Sequence, residues 1–86
     1  MDIRYSSKSS KDLKRISRGD KKSAEMIIKE IERYAQNLND YFDIKYLKGP
    51  FGDLKRLRVG NYRVIFDDEN STLSIYRVYH RQEAYS

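Results

Sequence analysis

The chain has 86 residues, a hydrophobic fraction of 38% and a net charge of +5, which suits one small core and leaves no room for a second. It has no cysteine and a single histidine, so disulfides and thiolate chemistry are excluded and a dedicated zinc site is disfavoured. No apolar run approaches membrane-spanning length and no signal-peptide core is present, so we expect a cytoplasmic protein with one domain over residues 1–86.

The N-terminal half predicts one strand and two helices. Residues 2–5 alternate polar and apolar side chains, as a short strand does. A serine cluster that begins at Ser6 offers N-caps for a helix through about Ser17, which Gly19 ends. After Asp20, apolar side chains recur at the i, i+3, i+4, i+7 spacing of one buried helix stripe. The stripe consists of Ala24, Ile27, Ile28, Ile31, Tyr34, Ala35 and Leu38.

The C-terminal half predicts strands. Residues 41–51 have no clean period, and residues 48–52 are expected to form a loop that leads into a hairpin turning at Gly60-Asn61. Its strands would span 54–59 and 62–67. A last strand over 72–79 is nearly continuously apolar, which is typical of a central strand covered on both faces. The predicted fold class is α+β: an N-terminal strand, two helices, and a three-stranded antiparallel meander that completes one sheet.

The hairpin predicts an arginine-rich face. It sets Val59 opposite Tyr62 and Arg58 opposite Arg63, and side chains alternate across a strand. One face would then be apolar and the other would carry Arg56, Arg58 and Arg63. Six of the basic residues but only one acid fall within residues 45–63, which favours a polyanionic partner. Exposed strands also carry such residues to discourage edge pairing, but the guanidinium fork fits phosphate oxygens particularly well.

The residues that follow the last strand add reactive side chains. His80 and Arg81 come directly after it, and Tyr85 follows four residues later. Taken singly, each is more typical of a surface or packing role. Together, and close to a basic sheet, an imidazole, a guanidinium and a phenol supply groups for acid–base work on a phosphodiester.

These motifs resemble the RelE/ParE superfamily of bacterial and archaeal toxins, and its RelE branch most of all. The resemblance covers nearly the whole chain and rests on three stretches. They are Leu47-Lys48-Gly49, the run RLRVGNYRVIF over residues 56–66, and the run HRQEAY over residues 80–85. It implies a ribosome-dependent endoribonuclease that cuts mRNA in the A site. The cut needs no metal or cofactor, because the ribose 2′-hydroxyl attacks the adjacent phosphate.

The resemblance also implies roles for individual residues. Arg63 would hold the scissile phosphate. Arg81 would stabilise developing charge or assist the leaving group, and Tyr85 would orient or stack on the target nucleotide. Arg56 stands where the family often has a catalytic lysine, and an arginine is a poor general base because it stays protonated. His80 is the alternative base, since histidine is the side-chain type that exchanges protons near neutral pH. We predict further RNA contacts from basic side chains of the same region, Lys48, Lys55, Arg58 and Arg77.

The implied partners are a RelB-like antitoxin, the ribosome and mRNA. DNA would be contacted only through the toxin–antitoxin complex, and no membrane contact is expected. Two alternatives remain open from the sequence. One is a ParE-like inhibitor of DNA gyrase without nuclease chemistry, and the other is a noncatalytic basic module that binds RNA.

Overall fold

The computed structural model describes residues 1–36, 39–48 and 54–85, with side chains described through residue 83. Two helices and five strands follow one another within these described ranges. They are β1 (Asp2–Tyr5), α1 (Ser7–Gly19), α2 (Lys21–Gln36), β2 (Ile44–Leu47), β3 (Leu54–Val59), β4 (Tyr62–Asp67) and β5 (Thr72–His80). Short 3₁₀ segments follow β4 (Glu69–Ser71) and β5 (Arg81–Tyr85). Among the described residues, no helix is both long and apolar enough to cross a membrane.

The strands form one sheet in the order β1-β5-β4-β3-β2. β1 pairs in parallel with β5, and the other neighbours are antiparallel. The α+β class and the order of the predicted elements are confirmed, but the prediction missed β2. This strand has only four residues, lies at the sheet edge and leaves Tyr46 66% exposed. It therefore lacks the buried alternation that identifies a strand in sequence.

The β3–β4 hairpin has the predicted register, with Val59 opposite Tyr62 and Arg58 opposite Arg63. Gly60 has φ of +57°, in the left-handed region that glycine adopts without a Cβ penalty. The apolar side chains of both strands face the helices, and Leu57, Val64 and Phe66 are at most 1% exposed.

The last strand is central, as predicted, but only one of its faces is covered. The pairing with β4 shifts at a bulge: Arg77 lies opposite Ile65, whereas Ile75 lies opposite Phe66. Tyr76 is the extra residue and is 38% exposed. Because a bulge changes the alternation by one residue, Ile75 and Val78 both face the core although they are three positions apart.

Both helices pack on the apolar face of the sheet. Ser6 caps α1 by accepting a hydrogen bond from the Ser9 N–H. Asp20 follows the end of α1 and likewise accepts from the Ser23 N–H in the first turn of α2. The predicted stripe of α2 is buried except at Ile28, which is 36% exposed and does not belong to the core. Leu38 and residues 49–52 of the predicted loop lie outside the described residues.

A buried carboxylate joins α1 to β5. Beyond the end of β1, the edge of β5 faces α1, and Asp12 accepts a hydrogen bond from the Val78 N–H at 2.9 Å. Arg77 Nε donates to the same carboxylate at 2.8 Å. Asp12 is only 3% exposed. It therefore supplies the acceptor that a neighbouring strand would otherwise give to β5.

We expect the free energy of unfolding to decrease in acid, because the Asp12 carboxylate becomes protonated. Burial alone would raise the pKa of Asp12, but hydrogen bonds from Arg77 and the Val78 N–H outweigh it and lower that pKa. A carboxyl with a lowered folded-state pKa stabilises the fold above its unfolded pKa of about 3.9, and this contribution is lost as pH falls through the folded value. Asp12→Asn should cost about 1–3 kcal/mol at neutral pH and flatten the decline below pH 4 (urea unfolding at several pH values). Asp2→Asn, at an exposed carboxylate, is the control. Equal acid sensitivity of Asp12→Asn and the unmodified chain would contradict the assignment.

Candidate active site on the open face of the sheet

The face of the sheet that points away from the helices carries a row of arginines. Arg58 on β3 pairs with Arg63 on β4, and Arg63 pairs with Tyr79 on β5. Paired residues of neighbouring strands point to the same face, so these three side chains form one row. Arg56 lies on the same face of β3, two residues before Arg58.

Arg81 joins this row from the end of β5. Its N–H donates to the Asn61 carbonyl at 2.7 Å, which fixes the start of the C-terminal 3₁₀ helix against the hairpin turn. Partial burial lowers the pKa of Arg63, and the charges of Arg58, Arg56 and Arg81 lower it further. Three guanidinium groups therefore lie close enough to Arg63 for their charges to act on it. We call Arg56, Arg58, Arg63 and Arg81 the arginine cluster.

The positive charge of the cluster is only partly compensated. Arg58 lies 4.0 Å from Asp43, and Arg63 donates to the carbonyls of Gly60 and Tyr62 at 3.2 and 3.0 Å. Within the described residues, Arg56 and Arg63 form no ion pair with an acid, and the buried Nε of Arg56 has no hydrogen-bond partner. Arg56 and Arg63 are half-buried, whereas Arg58 and Arg81 are exposed. Neighbouring guanidinium groups of this kind favour a phosphate between them.

His80 lies on the opposite face of the sheet from the cluster. It pairs with Tyr62, whose side chain faces the helices, and the two rings meet edge to face with centroids 5.2 Å apart. Although His80 and Arg81 are adjacent in sequence, the strand alternation separates them. The structure does not bring the imidazole together with the predicted phosphate-binding arginines.

Two other predicted RNA contacts are engaged in structural ion pairs. Lys55 also lies on the helix face, where its Nζ donates to Asp68 at 2.8 Å and the Tyr34 hydroxyl donates to the same carboxylate at 2.6 Å. Burial and the Asp68 carboxylate together raise the pKa of Tyr34. Arg77 is held by Asp12, as described above.

The remaining predicted site residues are Lys48 and Tyr85. Lys48 is exposed and directly follows β2. Tyr85 ends the C-terminal 3₁₀ helix, and its side chain lies outside the described part of the structure. No group of three or more side chains suited to bind a metal occurs among the described residues.

Two residues of the open face were missed by the sequence analysis. Tyr79 lies beside Arg63, and Lys45 pairs with Arg56 across β2 and β3. The alternation of β5 would have assigned Tyr79 to the open face only if the bulge at Tyr76 had been known. Lys45 could be placed only once β2 had been recognised.

A strand–helix–helix scaffold with a basic, uncovered sheet face defines a small α+β domain suited to a phosphate-rich partner. The family model of the ParE toxin of type II toxin–antitoxin systems matches residues 3–85. The toxin RelE3 of Methanocaldococcus jannaschii is 38% identical over 76 residues, which are 87% of this chain and 84% of that toxin. The chain therefore belongs to the RelE/ParE family of type II toxin–antitoxin toxins, as the resemblance implied.

Solved structures agree with this assignment. A RelB–RelE antitoxin–toxin complex from Methanococcus jannaschii matches with a TM-score of 0.69 and 33% identity, over 95% of this chain and 94% of that chain. YafQ from E. coli matches with a TM-score of 0.79 over 99% of this chain and 98% of its own, but at 16% identity it supports the fold alone. The relatives found in complex carry an antitoxin, either RelB or, for Staphylococcus aureus YoeB, YefM.

Proposed function

We propose that this toxin is an endoribonuclease that cuts mRNA on the ribosome and uses the arginine cluster to bind the scissile phosphate. The observation that carries the proposal is the convergence of three further guanidinium groups on Arg63 at an uncovered sheet face. The similarity to toxin RelE3 gives independent support. The buried Nε of Arg56 has no hydrogen-bond partner among the described residues, so it is available to a bound anion.

The proposed reaction is an internal transesterification. The ribose 2′-hydroxyl gives up its proton to water as its oxygen forms a bond to the adjacent phosphorus. The bond from phosphorus to the 5′-oxygen of the next nucleotide breaks, and that oxygen takes up a proton from water. The products are a 2′,3′-cyclic phosphate and a 5′-hydroxyl, and the scheme uses no metal or cofactor. Arg63 would hold the phosphate, while Arg81 and Arg56 would stabilise the dianionic phosphorane more strongly than the substrate.

The arginine cluster is assigned electrostatic stabilisation and no proton transfer. Arg56 stays protonated near neutral pH, so we assign it charge stabilisation rather than general-base catalysis. His80 receives no proton-transfer role in this proposal, because its ring lies across the sheet from Arg63. Tyr79 lies in the same row as Arg58 and Arg63 and carries a phenol ring. We propose that this ring contacts the nucleotide next to the phosphate. Tyr85 keeps the nucleotide-orienting role that the family resemblance implies.

The proposed partners follow from the same surface. A cognate RelB-like antitoxin with acidic segments would neutralise the toxin by covering the arginine cluster, and DNA would be contacted only through that complex. The site of action would be the cytoplasm, where the ribosome presents mRNA. Antitoxin binding and RNA binding should exclude each other, because both would require the same guanidinium groups.

Inhibition of DNA gyrase is the second candidate, because the matching family model is described as the ParE toxin. It predicts growth arrest without RNA cleavage, and loss of supercoiling activity when the toxin is added to gyrase. The arginine cluster favours the nuclease, since inhibition of a protein target does not call for a phosphate-binding site. A noncatalytic RNA-binding module would cause neither effect.

The direct test is primer-extension mapping of mRNA incubated with the purified toxin, with and without programmed ribosomes. We expect cuts only when ribosomes are present. Arg81→Ala should reduce the cleavage rate by about 100-fold, which is typical for removal of one group that stabilises transition-state charge. Arg18→Ala is the matched control, because Arg18 is exposed and lies on α1, whereas the cluster is carried by β3, β4 and the residue that follows β5.

Three outcomes separate the candidates. Cuts that require ribosomes and are lost in Arg81→Ala support the endoribonuclease. Growth arrest with no cuts in either condition would overturn it in favour of the gyrase inhibitor. Equal cleavage by the Arg81→Ala and Arg18→Ala variants would overturn the assignment of the arginine cluster as the active site.

A further inference from the structure

His80 lies in a cleft on the helix side of the hairpin turn. The cleft has a volume of about 240 Å³, and its lining includes Asp20, Ser23 and Met26 from the start of α2. The edge-to-face contact with Tyr62, with the two ring planes at 88°, fixes the orientation of the imidazole. His80 is therefore a positioned side chain, although it does not face the arginine cluster.

The imidazole makes a defined hydrogen bond to the backbone. The Gln82 N–H donates to His80 Nδ1 at 3.2 Å. This contact, from a side chain to the N–H two residues later, is the one that asparagine and aspartate make in an Asx turn. Because Nδ1 accepts, the proton of the neutral ring resides on Nε2.

This hydrogen bond is one of three consecutive anchors of the segment that carries Arg81. The Arg81 N–H donates to Asn61 in the hairpin turn, the Gln82 N–H donates to His80, and Glu83 forms an ion pair with Arg15 on α1 at 3.4 Å. The first anchor is the N–H of Arg81 itself and the second is the N–H of the next residue. Together they restrain the backbone angles of Arg81, whose charge acts on Arg63.

We propose that His80 is a positioning residue, which accepts the Gln82 N–H and thereby holds Arg81 in the arginine cluster. Its effect on cleavage rests on the proposed function, whereas its effect on the backbone does not. The role requires a hydrogen-bond acceptor at the place of Nδ1 and no proton transfer. An acid–base role would instead require a titratable side chain at position 80.

Substitutions that differ only in where they place an acceptor distinguish these roles. His80→Asn puts Oδ1 where Nδ1 lies, His80→Gln puts its acceptor near the position of Nε2, and His80→Ala removes both. We expect His80→Asn to retain at least about half of the cleavage rate. His80→Ala and His80→Gln should lower kcat by about 3- to 10-fold, the usual effect of one neutral hydrogen bond, with little change in KM.

Amide hydrogen exchange of Gln82 gives a readout that is independent of nuclease activity. Exchange should be about 10-fold faster in His80→Ala and His80→Gln than in the unmodified toxin, and unchanged in His80→Asn. Thermal melting of each variant verifies that the fold is retained. A His80→Asn variant as inactive as His80→Ala would overturn the proposal in favour of chemistry by the imidazole. Unchanged Gln82 exchange in His80→Ala would also overturn it. If the unmodified toxin cleaves no RNA, the proposed function fails, and the exchange data still decide whether His80 anchors this segment.

Discussion

Replacing Arg63 by alanine should lower kcat/KM for cleavage by between about 100- and 1,000-fold. Arg63 is central to the arginine cluster, because its pKa is lowered first by partial burial and further by the charges of three neighbouring guanidinium groups. A phosphate bound there would relieve that repulsion, and the gain would be greatest for the doubly charged phosphorane. The loss should therefore fall mainly on kcat. The measurement is single-turnover cleavage of ribosome-bound mRNA.

Arg63→Lys tests whether charge alone suffices. It preserves the positive charge but not the two-point geometry of the guanidinium, so we expect a rate between those of the unmodified toxin and Arg63→Ala. Arg18→Ala again controls for loss of one positive charge. Because, within the described part of the chain, the Arg63 side chain is hydrogen-bonded only to nearby backbone carbonyls, Arg63→Ala should melt as cooperatively as the unmodified chain. A folded Arg63→Ala variant that still cleaves at the normal rate would refute the site.

Much of this architecture could be predicted because local signals and the fold agree. Gly60 fixes the hairpin turn, and once the turn is fixed the period of two along β3 and β4 determines which side chains face the core. The arginine face followed from that register alone. The helix boundaries at Gly19 and Asp20 followed from capping chemistry in the same way.

The errors share a different cause, since each depends on contacts between elements distant in sequence. The four residues of β2 gain strand structure by pairing with β3. Whether Ile28 is buried depends on how α2 rolls on the sheet, because it borders the apolar stripe. The bulge at Tyr76 turns an apparently continuous apolar strand into one with a single buried face. Sequence periodicity carries none of this information.

The placement of His80 shows the functional consequence of such an error. Residues 80 and 81 were grouped because they are adjacent in the chain and chemically complementary. Val78 faces the core, and alternation then directs His80 to the same side, away from Arg63. Knowledge of the bulge would have separated a candidate base from the phosphate site and directed attention to Tyr79 instead.

The largest expected effect on folding comes from Ile27→Asp. Ile27 has no exposed surface and lies in the core between α2 and the sheet. A carboxylate there would lose its hydration without gaining a partner, at a cost of at least about 4 kcal/mol. The whole domain of 86 residues is expected to be stable by only roughly 4–13 kcal/mol. We expect loss of the cooperative thermal transition and, with it, loss of toxicity.

Ile28→Asp is the matched control, because it makes the same chemical change one residue further along α2. The intrinsic loss of helix propensity is the same at both positions, so a difference between the variants measures burial alone. Ile28 is 36% exposed, and its variant should still unfold cooperatively and retain toxicity, with a modest decrease in melting temperature. Circular dichroism melts of the two proteins make the comparison. If Ile27→Asp melts like Ile28→Asp, then α2 does not pack on the sheet through the stripe described above. The described packing behind the arginine-bearing sheet would then be wrong.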